Sequence, residues 1–320
     1  MPSPNSTFTD MVTTTLRHHA KDIVDNNSNN NALLTRMKQK KNIETVAGGY
    51  ELVYPLDYGG NGTYQRYDGY DSLNISAYET LTAAKYDWAQ VAIHVTASGK
   101  EIRQNSGKDA MIRLVKARVD SAKRTAANNF STDLYSSGSL TNQIGGLATL
   151  IQTNGQGTVG GINSATYTWW RNQYKEMTGT NSTTAIQADM NSLWLNTVRG
   201  ADKPDLIVST HDLYAAYEAT LQTNQRYTDS KMAALGFEAL KYKSADMVFD
   251  SDSTNFTTTG ERMYFLNTDY MKLVQHSDAQ WSQESEKTPV NQDAVIIPIY
   301  WMGQLICVNR ARQGIMIDAS

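Results

Sequence analysis

An α+β fold is expected for this chain on three observations. The apolar residues fall in short runs (Asp205–Val208, Met247–Phe249, Met263–Leu266 and Met271–Val274), as buried strands require. One stretch, Asp109–Ser136, holds helical spacing far longer than any other. The composition is 40% hydrophobic but only 19% charged, with a surplus of Asn, Thr, Ser, Gln and Gly. That balance suits many turns and short strands, and is a poor match to a helical bundle. At 320 residues the chain can bury a sizeable core in one large or two moderate domains.

From the N-terminus, Phe8, Val12, Leu16, Ala20, Ile23 and Val24 share one helical face, and an Asn-rich break at Asn26–Asn31 follows. An amphipathic arm of this kind packs on its own domain or on a neighbour. The basic run Arg36, Lys38, Lys40 and Lys41 reads as a solvated face rather than a docking patch. From Gly48 the pattern turns to β. Tyr50–Tyr54 leads into Asp57–Asp71, a glycine- and tyrosine-rich stretch with few aliphatics. It cannot bury much alone and should lean on something else. Alternation returns through Leu81–Thr96, so the two strands predict a hairpin tipped by a polar loop.

The long helix carries Ile112, Val115, Val119, Ala122, Ala126, Phe130 and Leu134 at steps of three or four. Arg113, Lys116, Arg118, Lys123 and Arg124 interleave with them. At 1.5 Å per residue the rod is about 42 Å long, with Gly138 as its stop. After Gly145-Gly146 the chain is mixed. Helices are expected at Thr168–Glu176, Thr184–Val198, Asp212–Leu221 and Ser230–Leu235. Further strands are expected at Ala294–Tyr300 and Gln304–Asn309, set apart by the polar stretch Ser277–Asp293. No internal repeat is visible.

Four patterns look chemical and fail on physical grounds. Gly155-Gln156-Gly157-Thr158-Val159-Gly160 fits G-x-G-x-x-G, and Leu147–Ile151 could supply the preceding strand. A dinucleotide loop also needs a helix opening at the third glycine and an acid about 20 residues on, whereas the nearest acid, Glu176, falls short. Ser209-Thr210-His211-Asp212 puts triad residue types side by side, but a triad converges from separated positions. It reads better as a helix start, with Ser209 or Thr210 as cap and Asp212 in the first turn. His18, His19, His94, His211 and His276 lack metal-ligand spacing. Asp250-Ser251-Asp252 lacks the later glycine and closing glutamate of a calcium loop. No catalytic, cofactor-binding or metal-ligating residue is therefore expected, and no enzyme activity or cofactor.

The remaining exclusions come from single features. The one cysteine, Cys307, sits among apolar neighbours, which rules out an intrachain disulfide and predicts a buried thiol. A net charge of −3 argues against a dedicated nucleic-acid binder, though a lining that tolerates packed DNA is compatible. MPSPNSTFTD carries no secretory signal pattern. The longest apolar run, Ala294–Met302, is too short to span a bilayer and contains Pro298. The Asn-x-Ser/Thr triplets are what an Asn/Thr-rich chain produces by chance.

Four phrases carry a resemblance. "GGINSATYTWWRNQ" (Gly160–Gln173), "PDLIVSTHDLYAAY" (Pro204–Tyr217), "LGFEALKYKSADMVFDSD" (Leu235–Asp252) and "MYFLNTDYMKLVQH" (Met263–His276) occur in order without large gaps. Together they resemble the major capsid proteins of tailed bacteriophages with the Hong Kong 97-like fold.

That resemblance implies residues 1–47 as an N-terminal arm, 48–85 as an E-loop hairpin, and 86–145 as a P-domain with a spine helix over 109–136. It implies 146–275 as an A-domain, 276–300 as a P-domain loop and strand, and 301–320 as a C-terminal strand returning to the A-domain. It further implies self-assembly into hexamers and pentamers of an icosahedral or prolate shell around double-stranded DNA, touched non-specifically. The implied partners are further copies of the chain, a separate scaffolding protein, a portal protein and a decoration protein, with no membrane. The implied location is the virion shell, assembled in the host bacterial cytoplasm.

Some family members weld their shells by an isopeptide bond from an E-loop lysine to a neighbour's asparagine, assisted by a buried glutamate. Here no lysine lies between Lys41 and Lys85, so this welding is not expected. The alternatives are an encapsulin shell around a cargo enzyme, a soluble α/β enzyme suggested by the glycine motif, and a carbohydrate-binding or tail-spike protein. The long cationic-striped helix and the lack of repeats count against the last.

Overall fold

The computed structural model describes residues 31–104, 108–179, 184–221, 239–250, 260–285 and 287–318. The expected helices at 8–24 and 230–235 lie outside the described residues, as do the side chains of Ile112, Val115 and Lys116.

The elements in chain order are α1 (Ala32–Lys40), β1 (Ile43–Val46), β2 (Leu52–Asp57), β3 (Leu81–Tyr86) and β4 (Ala89–Ser98). Next come α2 (Gly99–Gln104), α3 (Lys108–Leu134), α4 (Leu147–Leu150), β5 (Thr158–Val159), β6 (Ile162–Asn163) and β7 (Gln173–Glu176). The chain continues with α5 (Ile186–Thr197), β8 (Leu206–Ser209), α6 (His211–Leu221), β9 (Ala239–Tyr242), β10 (Ala245–Phe249) and β11 (Arg262–Leu266). It ends with β12 (Met271–Gln283), β13 (Ala294–Cys307) and β14 (Gly314–Ile317).

Two sheets organise the core. A four-stranded sheet has the order β1-β12-β13-β4, and a six-stranded sheet the order β7-β14-β11-β8-β10-β9. β2 and β3 form a separate antiparallel hairpin, paired from Leu52↔Tyr86 to Asp57↔Leu81. The six-stranded sheet is buried on both faces. Leu206, Val208, Val248, Tyr264 and Leu266 point into the main core, while Ile207, Met247, Met263, Phe265 and Met316 meet α5 and α6. Double burial is why these strands read as continuous apolar runs instead of alternating ones.

The long helix lies along the four-stranded sheet. Phe130 packs edge-on to Trp301 at 4.7 Å and Trp281 at 5.6 Å between ring centroids, and Val119 meets Val95 and Ile297. The helix ends at Leu134, and the chain turns through Gly138 at φ +65°.

Several expected elements differ. The helix expected at Thr168–Glu176 is instead a 3-10 turn, Thr168–Trp170, followed by β7. Pairing of Gln173–Glu176 with the edge of β14 outweighs local propensity there. The single strand expected over Leu81–Thr96 breaks at Asp87-Trp88, and its halves belong to different sheets. The two strands expected at Ala294–Tyr300 and Gln304–Asn309 are one, β13, which runs uninterrupted across residue 300. β12 likewise runs on to Gln283, well past Val274, with register shifts between Gln275 and Ser282. Leu147–Ile151 holds a helical turn instead of a strand.

The basic run is a solvated face only in part: Lys38 and Lys41 are exposed, whereas Arg36 and Lys40 are engaged with acidic side chains. Arg36 Nε lies 2.8 Å from Asp205 Oδ2, and Arg36 Nη1 lies 3.4 Å from Asp246. Lys40 Nζ reaches both Asp205 at 3.2 Å and Asp269 at 2.7 Å. α1 is thereby clamped onto the start of β8. Asn31 caps it by accepting from the Leu34 amide at 2.8 Å, and Lys41 ends it in the left-handed conformation.

Burial opposes ionisation of Asp205, but the Thr268 amide, the Arg36 hydrogen bond and the nearby Lys40 prevail and hold its carboxyl below the usual range. Its contribution is therefore complete above the ordinary carboxylate range and is lost as pH falls through the lowered folded value. Asp205→Asn is expected to cost roughly 1–3 kcal/mol at neutral pH. It should also flatten the loss of stability below about pH 4. Denaturant midpoints measured across pH check both, and an unchanged acid slope would contradict the assignment.

Candidate functional site

The feature that stands apart from the packed body is the β2–β3 hairpin. Its root is core: Leu52, Leu56, Ala84 and Tyr86 are buried with the main cluster. Its tip, residues 58–80, is the reverse. Tyr64 is 83% exposed, Ile75 94%, and Tyr67, Tyr70, Leu73 and Tyr78 are exposed as well. The tip is ordered by its own polar contacts, in which Gln65 donates to Ser72 O and accepts from the Asn74 amide, both at 3.0 Å. It thus holds a shape while leaving apolar side chains unburied, and such a surface marks an interaction site.

Three contacts fix the arm at its root. Tyr58 stacks on Trp169 with centroids 5.2 Å apart. Tyr86 Oη donates to Cys307 O at 2.7 Å, and Trp88 Nε1 donates to Gly49 O at 2.9 Å.

The glycine motif supplies a further contact. β5 and β6 form a miniature hairpin turning at Gly160-Gly161, both with positive φ (+60° and +74°), as a tight two-residue hairpin turn requires. A Cβ at Gly160 would meet Ala84 Cβ at 2.9 Å, and Gly160 O accepts from the Lys85 amide at 3.0 Å. The motif is therefore followed by a strand rather than a phosphate-binding helix, and it braces the arm.

Arg310 anchors this brace from beneath. Fully buried, it donates to Leu150 O (2.7 Å), Trp170 O (3.1 Å), Asn172 Oδ1 (2.9 Å) and Ser164 Oγ (3.3 Å). Burial lowers its pKa from the ordinary value. Sequence reading missed this residue. The signal was an arginine closing the apolar run Leu305–Val308.

The other sequence candidates separate in space. Thr210 precedes α6 and its carbonyl accepts from the Tyr214 amide at 3.1 Å, but its buried hydroxyl has no partner among the described residues. The capping expected of Ser209 or Thr210 is thus positional, and Ser209 Oγ donates to Thr210 O instead. Asp212 lies in the first turn of α6, and His211 packs on Phe249 at 5.0 Å. Asp250 is buried and accepts from Tyr135 Oη at 2.7 Å, while Ser251 and Asp252 lie outside the described residues, as do His18 and His19. Among the described residues no cluster of His, Cys, Asp and Glu could hold a metal. Cys307 is buried, and desolvation pushes its thiol up to about 12.

No protein-family model matches the chain, and no curated protein does. Solved structures do. The capsid of Myoviridae phage XM1 aligns with a TM-score of 0.61 at 10% identity, covering 95% of this chain and 97% of that one. The cyanophage A-1(L) capsid asymmetric unit gives 0.60 at 15% identity, covering 87% and 90%. The holo-SrpI encapsulin complex of Synechococcus elongatus PCC 7942 gives 0.59 at 10% identity, covering 97% and 95%. The chain has the fold of these shell proteins, the Hong Kong 97-like fold that its quoted phrases resemble. No helix among the described residues is long and apolar enough to cross a membrane.

Proposed function

We propose that this chain is the major capsid protein of a tailed bacteriophage. Copies join as hexamers and pentamers into a closed shell around double-stranded DNA. Assembly uses a separate scaffolding protein and a portal protein, with a decoration protein on the finished shell. The observation that carries the reading is the braced hairpin, rigid at its root and apolar at its tip, on a fold otherwise found in shell subunits. In this reading the hairpin is the E-loop laid over an adjacent copy, α3 is the spine helix, and the six-stranded sheet with α5 and α6 is the A-domain. Many modest contacts, closed by symmetry, supply the stability.

An encapsulin neighbour of equal similarity makes a cellular shell the second reading, and the quoted phrases favour the phage. Expression of the chain, with and without co-expressed scaffolding protein, followed by electron microscopy tests the proposal. Uniform closed shells are expected, and native particles should contain DNA. Protein-filled native particles would favour the encapsulin reading, and small discrete oligomers would sink both.

The same particles test covalent welding. Lys85 lies on β3 opposite Val53, pairs with Glu51 at 3.7 Å, and is far along the strand from the tip. Particles boiled in detergent are expected to run as one band at 35.6 kDa, and ladders surviving reduction would reveal a crosslink.

A further inference from the structure

A groove of about 560 Å³ lies between α1, α3 and the four-stranded sheet. Its lining mixes apolar side chains, among them Leu34, Ile93, Ala127, Ile299, Trp281 and Trp301, with polar residues at Asn31, Lys38 and Lys123. Trp281 is held at φ +56°, a conformation costly for a bulky aromatic, with its ring stacked on Trp301 at 6.1 Å. This depression is built on the main core, to which Phe130, Leu273 and Trp301 of its lining belong.

We propose that residues 8–24 of the same chain occupy this groove. The first described residue, Asn31, forms part of its lining and is buried, donating to Ser131 Oγ of α3 at 2.9 Å. The preceding chain therefore departs from the rim of the groove. Thirty residues precede Asn31, and the apolar set Phe8, Val12, Leu16, Ala20, Ile23 and Val24 recurs at the spacing of one helical face. The reach from Val24 to Asn31 is about 25 Å at most, so the near end of the segment must lie close to the groove. Charge agrees. Lys38 and Lys123 border the groove without an ion pair among the described residues, and Asp22 and Asp25 are the nearest upstream acids. The groove thus takes an apolar stripe already tethered beside it, at high effective concentration.

Disulfide trapping in the dilute, unassembled full-length chain tests this, and buried Cys307 leaves introduced thiols to report alone. Leu16→Cys with Ala127→Cys should close an intrachain disulfide under mild oxidation, read as a faster-migrating monomer. His18→Cys with Ala127→Cys, on the opposite helical face, should close it several-fold less. Where Ala127→Cys impairs folding, judged by its melting transition, Thr35→Cys on the facing wall replaces it. Equal yields from the two faces would overturn the proposal. So would interchain dimers, which would assign the groove to a second copy, or no disulfide in either pair.

Discussion

Removing Gly59–Gly69 is expected to leave a folded chain that no longer builds stable shells. The deleted residues lie in the exposed tip, while the arm's buried anchors, Leu52, Leu56, Ala84 and Tyr86, all remain. Far-ultraviolet circular dichroism and the melting midpoint should therefore stay near those of the parent. What is lost is apolar area that only a partner can cover, at about 25 cal/mol for each Å² buried. That loss recurs at every copy of a closed shell, so a modest change per contact becomes complete failure of closure. Negative-stain images with normal particles would refute the role given to the arm.

The second large effect is on stability. Arg310→Leu is expected to cost about 3–5 kcal/mol, because the Leu150 and Trp170 carbonyls would be left buried without donors. Arg310→Lys should fall between, since a lysine keeps the charge but cannot reach all four acceptors at once. Two residues away, Arg312 makes one long bond of 3.3 Å to Thr197 O, and its replacement by Ala should cost less than about 1 kcal/mol. Melting midpoints of the unassembled chains give the comparison. Equal losses at 310 and 312 would mean that the buried guanidinium does not hold the glycine hairpin.

The strands of the six-stranded sheet were legible because burial on both faces leaves Leu206–Val208 and Met263–Leu266 no polar positions. The long helix was legible because its apolar face, from Val119 to Leu134, must meet the core. β7 was not, since Gln173–Glu176 is half exposed and takes its conformation from β14. The continuity of β13 was hidden by Gly303, which reads as a turn. It is a glycine because a Cβ there would come within 2.3 Å of Val274 O. The exposed, unsupported character of the hairpin tip could be read directly, from tyrosines and glycines with few aliphatics. Its bracing could not, because Arg310, Trp169 and Gly160 come from distant parts of the chain and meet only in the fold. The clamp of Arg36 and Lys40 was invisible for the same reason, as no local pattern names Asp205 as the partner.

The sheet borders bear on a hazard of another kind. On the proposed reading the chain is made in many copies, and such a chain risks polymerising through unpaired strand margins before ordered closure can occur. Among the described residues, three of the four edge strands of the two core sheets, β1, β7 and β9, are four residues long, too short to template a growing ribbon. β4 is the exception at ten residues, and there Arg118 of the long helix reaches across to occupy the Thr96 carbonyl at 2.7 Å. With that acceptor taken by a guanidinium that is itself paired with Glu101 at 3.2 Å, the long margin offers an incoming strand one acceptor fewer, which on the proposed reading leaves the arm as the route by which copies find one another.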